Sequence, residues 1–551
     1  PYLLCDPDVG VDFAEADEIF MKHGKADDVR RLKAGIKFVL IHNLDNGHTC
    51  LPAERLLPAA AGILGESDAM TEALEELVEL HELEEYYRND RRFIYLPDLY
   101  EAETAAAGRL RMMLHDLCED SDAALNRSIE LLEEELGIEY DSLQKKALRE
   151  AVRNHVFVLT GGPGTGKTTT LNALIRLLEQ QGDTVMLAAP TGRAAKRLTE
   201  LTGKDAKTIH RLLEVDYTSD EMHPVFRKNE KNPLKCNTLI VDEMSMVDSV
   251  LFDSLLRALS FSCRLIMVGD SDQLPSVGAG NVLHDLLSSD ILPSVTLTTI
   301  FRQAAESMIV TSAHDIVNGE YPYLECKDND FFFMPRGSEA ECAATVCQLC
   351  EKRLPKAYDL SPMWDIQVLC PGKRGEAGTW GLNIALQKAL NPPAKGKKEH
   401  TQNGRLFREG DKVMQVRNNY DMVWKKDDGE MGQGIFNGDI GIIERMDPAL
   451  RMMAIRFDDR VADYPYDSLG ELDHAYAITV HKSQGNEFEA VIIPLMDVSS
   501  RLCYRNLLYT AVTRAKKLLI IVGDARAVYT MVDNNRRTGR FTNLRYMLEE
   551  K

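Results

Sequence analysis

The segment GGPGTGKT, Gly161 to Thr168, constrains the fold of this chain more than any other stretch. It fits GxxxxGK[ST], in which glycines let successive backbone N–H groups converge on phosphate oxygens. Such a loop must join a strand to a helix, because the helix N-terminus supplies part of the positive potential. The flanks comply: HVFVLT reads as a buried strand and TTTLNALIRLLEQQG as a helix. The pattern predicts a phosphate cradle on a parallel α/β sheet. Lys167 should reach the β- and γ-phosphates of a nucleotide, and Thr168 should ligate Mg²⁺.

Two further strand ends extend that site. TLIVDEMS puts Asp242 and Glu243 at the end of an apolar strand, where one carboxylate can hold Mg²⁺ and its neighbour can position or deprotonate the attacking water. RLIMVGDSDQLP ends another strand at Asp270, with Gln273 in the following loop, a polar tip suited to sensing the γ-phosphate.

From His155 onward, apolar strands alternate with helix-length segments: HVFVLT, TVMLAAP, TLIVDE and RLIMVGD, then DIQVLCP, AVIIPL and KLLIIVGD. The economical reading is two α/β domains of one kind in tandem. Residues 405–470 differ. Short alternating runs with NG and DG turns suggest a small β-barrel inserted in the second domain at about 400–470, approached through NPPAKGKKEH. Residues 25–100 read as three helices followed by a β-wing, which fits a winged helix and equally a generic helical adaptor. A charged helical stretch leads from there into the first α/β domain.

A net charge of −21 looks wrong for a nucleic-acid binder until it is divided. Residues 1–150 hold 16 basic against 34 acidic residues, a net of −18, and the other 401 hold 49 against 52, a net of −3. The later chain can therefore present basic patches locally. Eleven scattered cysteines argue against a secreted disulfide framework. The lone CxxC of Cys347 and Cys350, with Cys342 nearby, is read as thiols in an amphipathic helix. No apolar run long enough to span a bilayer and no leader stand out, so a cytoplasmic location is expected.

The order of the motifs resembles superfamily 1 helicases, and most closely the stand-alone RecD-like DNA helicases. The resemblance covers essentially the whole chain through LQKKA, GGPGTGKT, APTGRAAKRL, TIHRLL, VDEMSMVD, VGDSDQLPSVGAG, IFRQ, AITVHKSQGNEF and LLYTAVTRAKK. It implies two RecA-like motor domains, at 101–295 and 296–551, after a winged-helix-like 25–100. It also implies a helix–hairpin–helix remnant over 1–24, in which Asp12 stands where a glycine is expected, and a longer N-terminal region before Pro1. Residues 214–233 fall where such proteins carry a β-hairpin pin; a plain surface loop is the alternative.

By the same resemblance, Gln144 reads the adenine edge, and Gly162, Pro163, Gly164, Thr165, Gly166, Lys167, Thr168 and Thr169 cradle the phosphates of ATP. Thr168 and Asp242 hold Mg²⁺, Glu243 is the general base, and Gln273 couples nucleotide state to the DNA track. Arg302 and Arg514 reach the γ-phosphate from the second motor, as arginine fingers do, while Gly485 and Glu487 help close the cleft. Pro190, Thr191, Gly192, Arg193, His210, Thr479, His481 and Lys482 contact the sugar–phosphate backbone without reading bases. The implied activity is ATP-dependent, 5′-to-3′ translocation on single-stranded DNA with unwinding of duplex and forks. The protein is expected as a monomer, with repair or single-strand-binding proteins as candidate partners. The alternative is a DNA-dependent P-loop ATPase or remodeller without processive unwinding.

Overall fold

The computed structural model describes residues 2–5, 11–22, 24–114, 122–216, 225–325, 329–535 and 539–550. Among them, six parallel strands form the first large sheet, ordered Ser294–Leu297, Val156–Gly161, Arg264–Gly269, Thr238–Val241, Val185–Ala189 and Ala206–Thr208. The second sheet is also parallel, ordered Phe331–Pro335, Ala515–Gly523, Phe488–Leu495, Ile366–Cys370 and Ala477–Thr479. Val156–Gly161, Thr238–Val241, Arg264–Gly269 and Ile366–Cys370 are buried at every position. A sheet covered by helices on both faces leaves no polar side, which is why these strands read as unbroken apolar runs. The expected tandem α/β architecture is what the chain adopts.

The insert is the small curled β-domain expected at about 400–470. Its seven antiparallel strands run in the order Met431–Ile435, Asn419–Lys426, Arg460–Pro465, Met452–Phe457, Ile440–Asp447, Lys412–Gln415 and Leu472–His474. No pairing joins the two edge strands among the described residues, so the sheet curls into a half-barrel rather than closing. Its concave side is filled by Phe407, Ile435, Ile443, Phe457 and Tyr464. The turn chemistry is as read: Asn403 and Gly404 both take positive φ, 50° and 75°, between the paired strands Glu399–Gln402 and Arg405–Arg408.

At the front, helices Val29–Leu44, Ala53–Leu64 and Met70–Glu79 pack with a three-stranded sheet made of Cys50–Pro52 and the hairpin Glu84–Arg88 with Arg91–Tyr95. This is the helices-plus-wing arrangement. Of the segment 1–24, expected as a helix–hairpin–helix remnant, residues 1, 6–10 and 23 lie outside the described residues. Asp12 caps the helix Phe13–Met21, its carboxylate accepting from the Ala14 N–H at 2.8 Å. The pin segment is described only in part, with Val215–Asp216 paired to Val225–Phe226 and residues 217–224 outside the description. No described helix is long and apolar enough to cross a membrane.

The end of the chain returns to its beginning. Leu544, Met547 and Leu548 join the core that holds Leu99, Ala106 and Leu110 of the helix Pro97–Leu114 and Leu239 of the first sheet. At this junction Glu103 is fully buried and accepts hydrogen bonds from the Asn543 N–H at 3.0 Å and the Tyr95 hydroxyl at 2.9 Å. Burial, and then the negative charge of Asp285, push its carboxyl up from the ordinary 4.5 to about 7. Between those two values the fold keeps the proton that the unfolded chain has lost, so stability falls as pH climbs through the window. Glu103→Gln mimics the protonated form and removes the dependence. Its stability relative to the native chain should rise by about 3 kcal/mol between pH 5 and pH 8. Denaturant titrations at the two pH values test this, and parallel profiles for the two proteins would refute it.

Candidate functional site

Three strand ends of the first sheet build one wall of a cavity of ≈ 760 Å³. The loop after Val156–Gly161 turns through Gly164 and Gly166 at φ 72° and 81°, then enters the helix Lys167–Gln180. A Cβ on Gly166 would stand 2.6 Å from the Gln144 side chain, so the tight turn and the close approach both require glycine there. The Lys167 ammonium donates to the carbonyls of Gly161 and Gly162, the latter at 2.9 Å. Thr165 is buried and donates its hydroxyl to the Gly162 carbonyl at 2.8 Å. Gln144 is buried within a capping box with Asp141 and turns its amide toward the Gly166 carbonyl at 3.4 Å.

The strand Thr238–Val241 delivers Asp242 and Glu243 to the same cavity. Glu243 has φ 55° and ψ 41°, left-handed backbone that costs a non-glycine residue about 1 kcal/mol. This turn swings its carboxylate out of line with the strand, while its N–H donates back to the Asp242 carboxylate at 2.8 Å. Burial, and then the charge of Glu243, raise the Asp242 carboxyl to about 6. Two oxygen donors, the Asp242 carboxylate and the Thr168 hydroxyl, line the cavity. A crowded carboxylate pair beside a hydroxyl is a donor set that suits a hard divalent cation such as Mg²⁺.

The second sheet supplies the other wall by its amino ends. Glu487 precedes the strand Phe488–Leu495, and Thr513 and Arg514 precede Ala515–Gly523; all three line the cavity. Arg514 is 2% exposed. Its guanidinium donates to the carbonyls of Thr510 at 3.3 Å and Asn486 at 3.2 Å. Gln273 also lines the cavity and donates to the Asp270 carboxylate at 3.2 Å. The same carboxylate accepts from the Tyr509 hydroxyl at 2.6 Å, and Thr510 accepts the Leu274 N–H at 2.9 Å. The Gln273 loop is thus held jointly by both halves of the molecule.

One expected member stands apart, and the side chain of another is not described. Gly485 lies off the cavity, its would-be Cβ 2.7 Å from the Thr191 hydroxyl. Arg302 opens the short helix Arg302–Ala305, and its side chain lies outside the described residues. Several residues that sequence reasoning passed over do line the site, among them Tyr140, Phe301 and Arg197. Arg197 pairs with Glu487 at 2.6 Å and reaches Glu243 at 4.0 Å, bridging the two walls. Its spacing of one helical turn from Arg193 was the available signal. His314 adds a contact from the second half, its Nε2 3.0 Å from the Pro163 carbonyl.

The expected strand contacts cluster elsewhere. Pro190 to Arg193 follow the strand Val185–Ala189, with Thr191 capping the helix Gly192–Thr202. Thr479 ends the second sheet's Ala477–Thr479, and His481 and Lys482 follow it. Gly485, three residues beyond Lys482, lies against Thr191, so the segments that carry these residues approach each other there. His210 and Phe226 are tilted ring neighbours, centroids 5.9 Å and planes 54° apart, at the base of the partly described hairpin. Burial lowers the pKa of His210; burial and then Arg540 lower that of His481, so both rings are neutral at pH 7 and serve as hydrogen-bonding groups.

Comparison with known proteins follows the same division. Residues 144–279 match the AAA domain model, residues 382–457 the SH3 domain of ATP-dependent RecD-like DNA helicases, and residues 474–522 the UvrD-like helicase C-terminal domain. The ATP-dependent RecD2 DNA helicase of Deinococcus radiodurans is 34% identical over 539 residues, covering 94% of this chain and 69% of that protein. The RecBCD enzyme subunit RecD of Mycobacterium tuberculosis is 31% identical over 442 residues, covering 74% and 73%. Among solved structures, a Pif1 helicase from Bacteroides in complex with ADP-AlF3 and ssDNA aligns over 72% of this chain and 94% of its own, at 22% identity and a TM-score of 0.42.

Proposed function

The chain belongs to the RecD-like ATP-dependent DNA helicases, and we propose that it travels 5′ to 3′ on single-stranded DNA by closing its two motor halves around ATP at the cavity lined by Lys167, Glu243 and Arg514. One observation carries this reading: residues from the carboxyl ends of one sheet and the amino ends of the other meet at a single cavity. Hydrolysis there must depend on how the halves approach each other.

In this mechanism the P-loop N–H groups and Lys167 bind the phosphates, and Gln144 holds the base end of the cavity. Thr168 and Asp242 would hold Mg²⁺, which would neutralise phosphate charge. Glu243 takes the proton of the attacking water as its oxygen adds to the γ-phosphorus and the bond to the bridging oxygen breaks, releasing ADP, and Arg514 meets the charge that develops on the transferring group. The Gln273 loop, tied to Tyr509 and Thr510, passes the loss of that group to the second half. Thr191, Arg193, Thr479 and Lys482 then grip the strand in alternation.

Single-tailed duplexes test the direction. A duplex with a 5′ tail should be unwound with ATP, and one with only a 3′ tail should not; unwinding confined to the 3′ tail would reverse the assignment. ATP hydrolysis without strand separation on either substrate would favour the remodeller instead. Deleting the tip of 214–233 should spare DNA-stimulated hydrolysis and suppress strand separation, since a pin splits duplex without touching phosphate chemistry.

A further inference from the structure

The second sheet turns amino ends to the nucleotide, which leaves its carboxyl ends with a crevice of their own. That end of a parallel sheet is where ligands of α/β folds commonly bind. A cavity of ≈ 590 Å³ opens there, beside Ala477–Thr479, between the helix Thr379–Leu390 and the hairpin Glu399–Arg408. Two large apolar side chains stand on its wall one helical turn apart, Trp380 at 57% and Ile384 at 72% exposed. Holding an indole in water forgoes the burial that usually stabilises it.

The crevice is also positively charged. Lys373, Arg405 and Lys482 line it against one lining carboxylate, Asp473, a balance of three to one. Asp473 is already shared, paired to Arg405 and 3.7 Å from Lys482. Burial depresses the Lys482 ammonium; Asp473 opposes that shift, and the like charges of Lys373 and Arg405 add to it.

We propose that this crevice receives the single strand, with one base stacked on Trp380 and the flanking phosphates against Lys373, Arg405 and Lys482. The inference rests on the strand-contact reading of Thr479 and Lys482, which line the same crevice, and adds to it a residue that grips a base. An aromatic face accepts every base and an ammonium accepts every phosphate, so the grip suits a motor that must step over any sequence. An acidic peptide would engage the cations without needing the indole, and an apolar one the reverse.

The chain has three tryptophans, Trp364, Trp380 and Trp424. With Trp364 and Trp424 replaced by phenylalanine, emission reports on Trp380 alone. A dT oligonucleotide should quench it, while an abasic strand of equal length should bind and leave it unchanged. In the otherwise native chain, Trp380→Ala should weaken dT binding about five- to hundred-fold. Trp380→Tyr should restore most of that loss, and neither variant should alter binding of the abasic strand. Tightly bound dT with unquenched emission, in a protein where Lys482→Ala still weakens binding, would overturn the stacking site and leave the strand path intact. Unquenched emission together with indifference to Lys482→Ala would overturn both.

Discussion

Lys167→Ala should bring ATP turnover below detection, whereas Glu243→Gln should bind ATP and Mg²⁺ with near-native affinity and hydrolyse at about one-hundredth of the native rate or less. The two losses differ in kind because the side chains meet different atoms. Lys167 is the cation of the phosphate loop, flanked by carbonyls of Gly161 and Gly162 that offer no substitute charge. Removing it takes away ground-state binding and transition-state neutralisation together. Glu243 lies outside the phosphate loop, on its left-handed turn, and lines the same cavity. Glutamine keeps its size and its backbone demand but cannot take a proton. Fluorescent-nucleotide binding and phosphate release, measured on both variants with saturating DNA, separate the cases. Near-native turnover in Glu243→Gln would remove it from the base role and leave Glu487, across the cleft and paired to Arg197, as the carboxylate to examine.

What could be read from residues alone follows from how locally each task is encoded. Binding phosphate takes consecutive N–H groups, so Gly161 to Thr168 is contiguous and legible. A strand buried on both faces is apolar throughout, which made both sheets visible before any contact was known. Closure of the insert was not visible, because strand alternation is the same in a barrel and in a half-barrel; only the pairing of edge strands distinguishes them. Nor was the return of the chain end. The helix Leu544–Glu549 is six residues long, too short to show periodicity, and its partner Pro97–Leu114 lies more than four hundred residues earlier. Arg197 was hidden for another reason. It belongs to a segment whose first residues suit a DNA backbone, yet it stands one turn further along the helix, where it lines the nucleotide cleft. Tyr509 and Thr510, which hold the Gln273 loop, lie within LLYTAVTRAKK but come into view only when the two halves are placed together.

That placement gives Arg514 the largest expected effect of any residue outside the phosphate loop. Arg514→Ala should cut DNA-stimulated hydrolysis by about 10³-fold or more while ATP affinity changes by a modest factor, as for other arginine fingers. The guanidinium is buried among carbonyls of its own half, Thr510 and Asn486, and lines the cavity built by the other. Carbonyls orient such a cation without neutralising it, so its full charge is available when the halves close. A structural role would look different. Losing the donors to two carbonyls costs stability, roughly 1–3 kcal/mol for each group left unsatisfied. Turnover would then fall only in proportion to the folded fraction. Thermal midpoints and turnover per folded molecule, measured together, divide these outcomes. Arg514→Lys sharpens the division, since lysine keeps the charge and part of the hydrogen bonding but lacks the planar fork that can meet two oxygens at once. Stability should therefore recover in Arg514→Lys while hydrolysis stays far below native. Should both variants turn over ATP normally at saturating DNA, Arg514 is a strut between the loop at Asn486 and the helix Arg505–Val512, and the charge on the transferring phosphate is met by another residue.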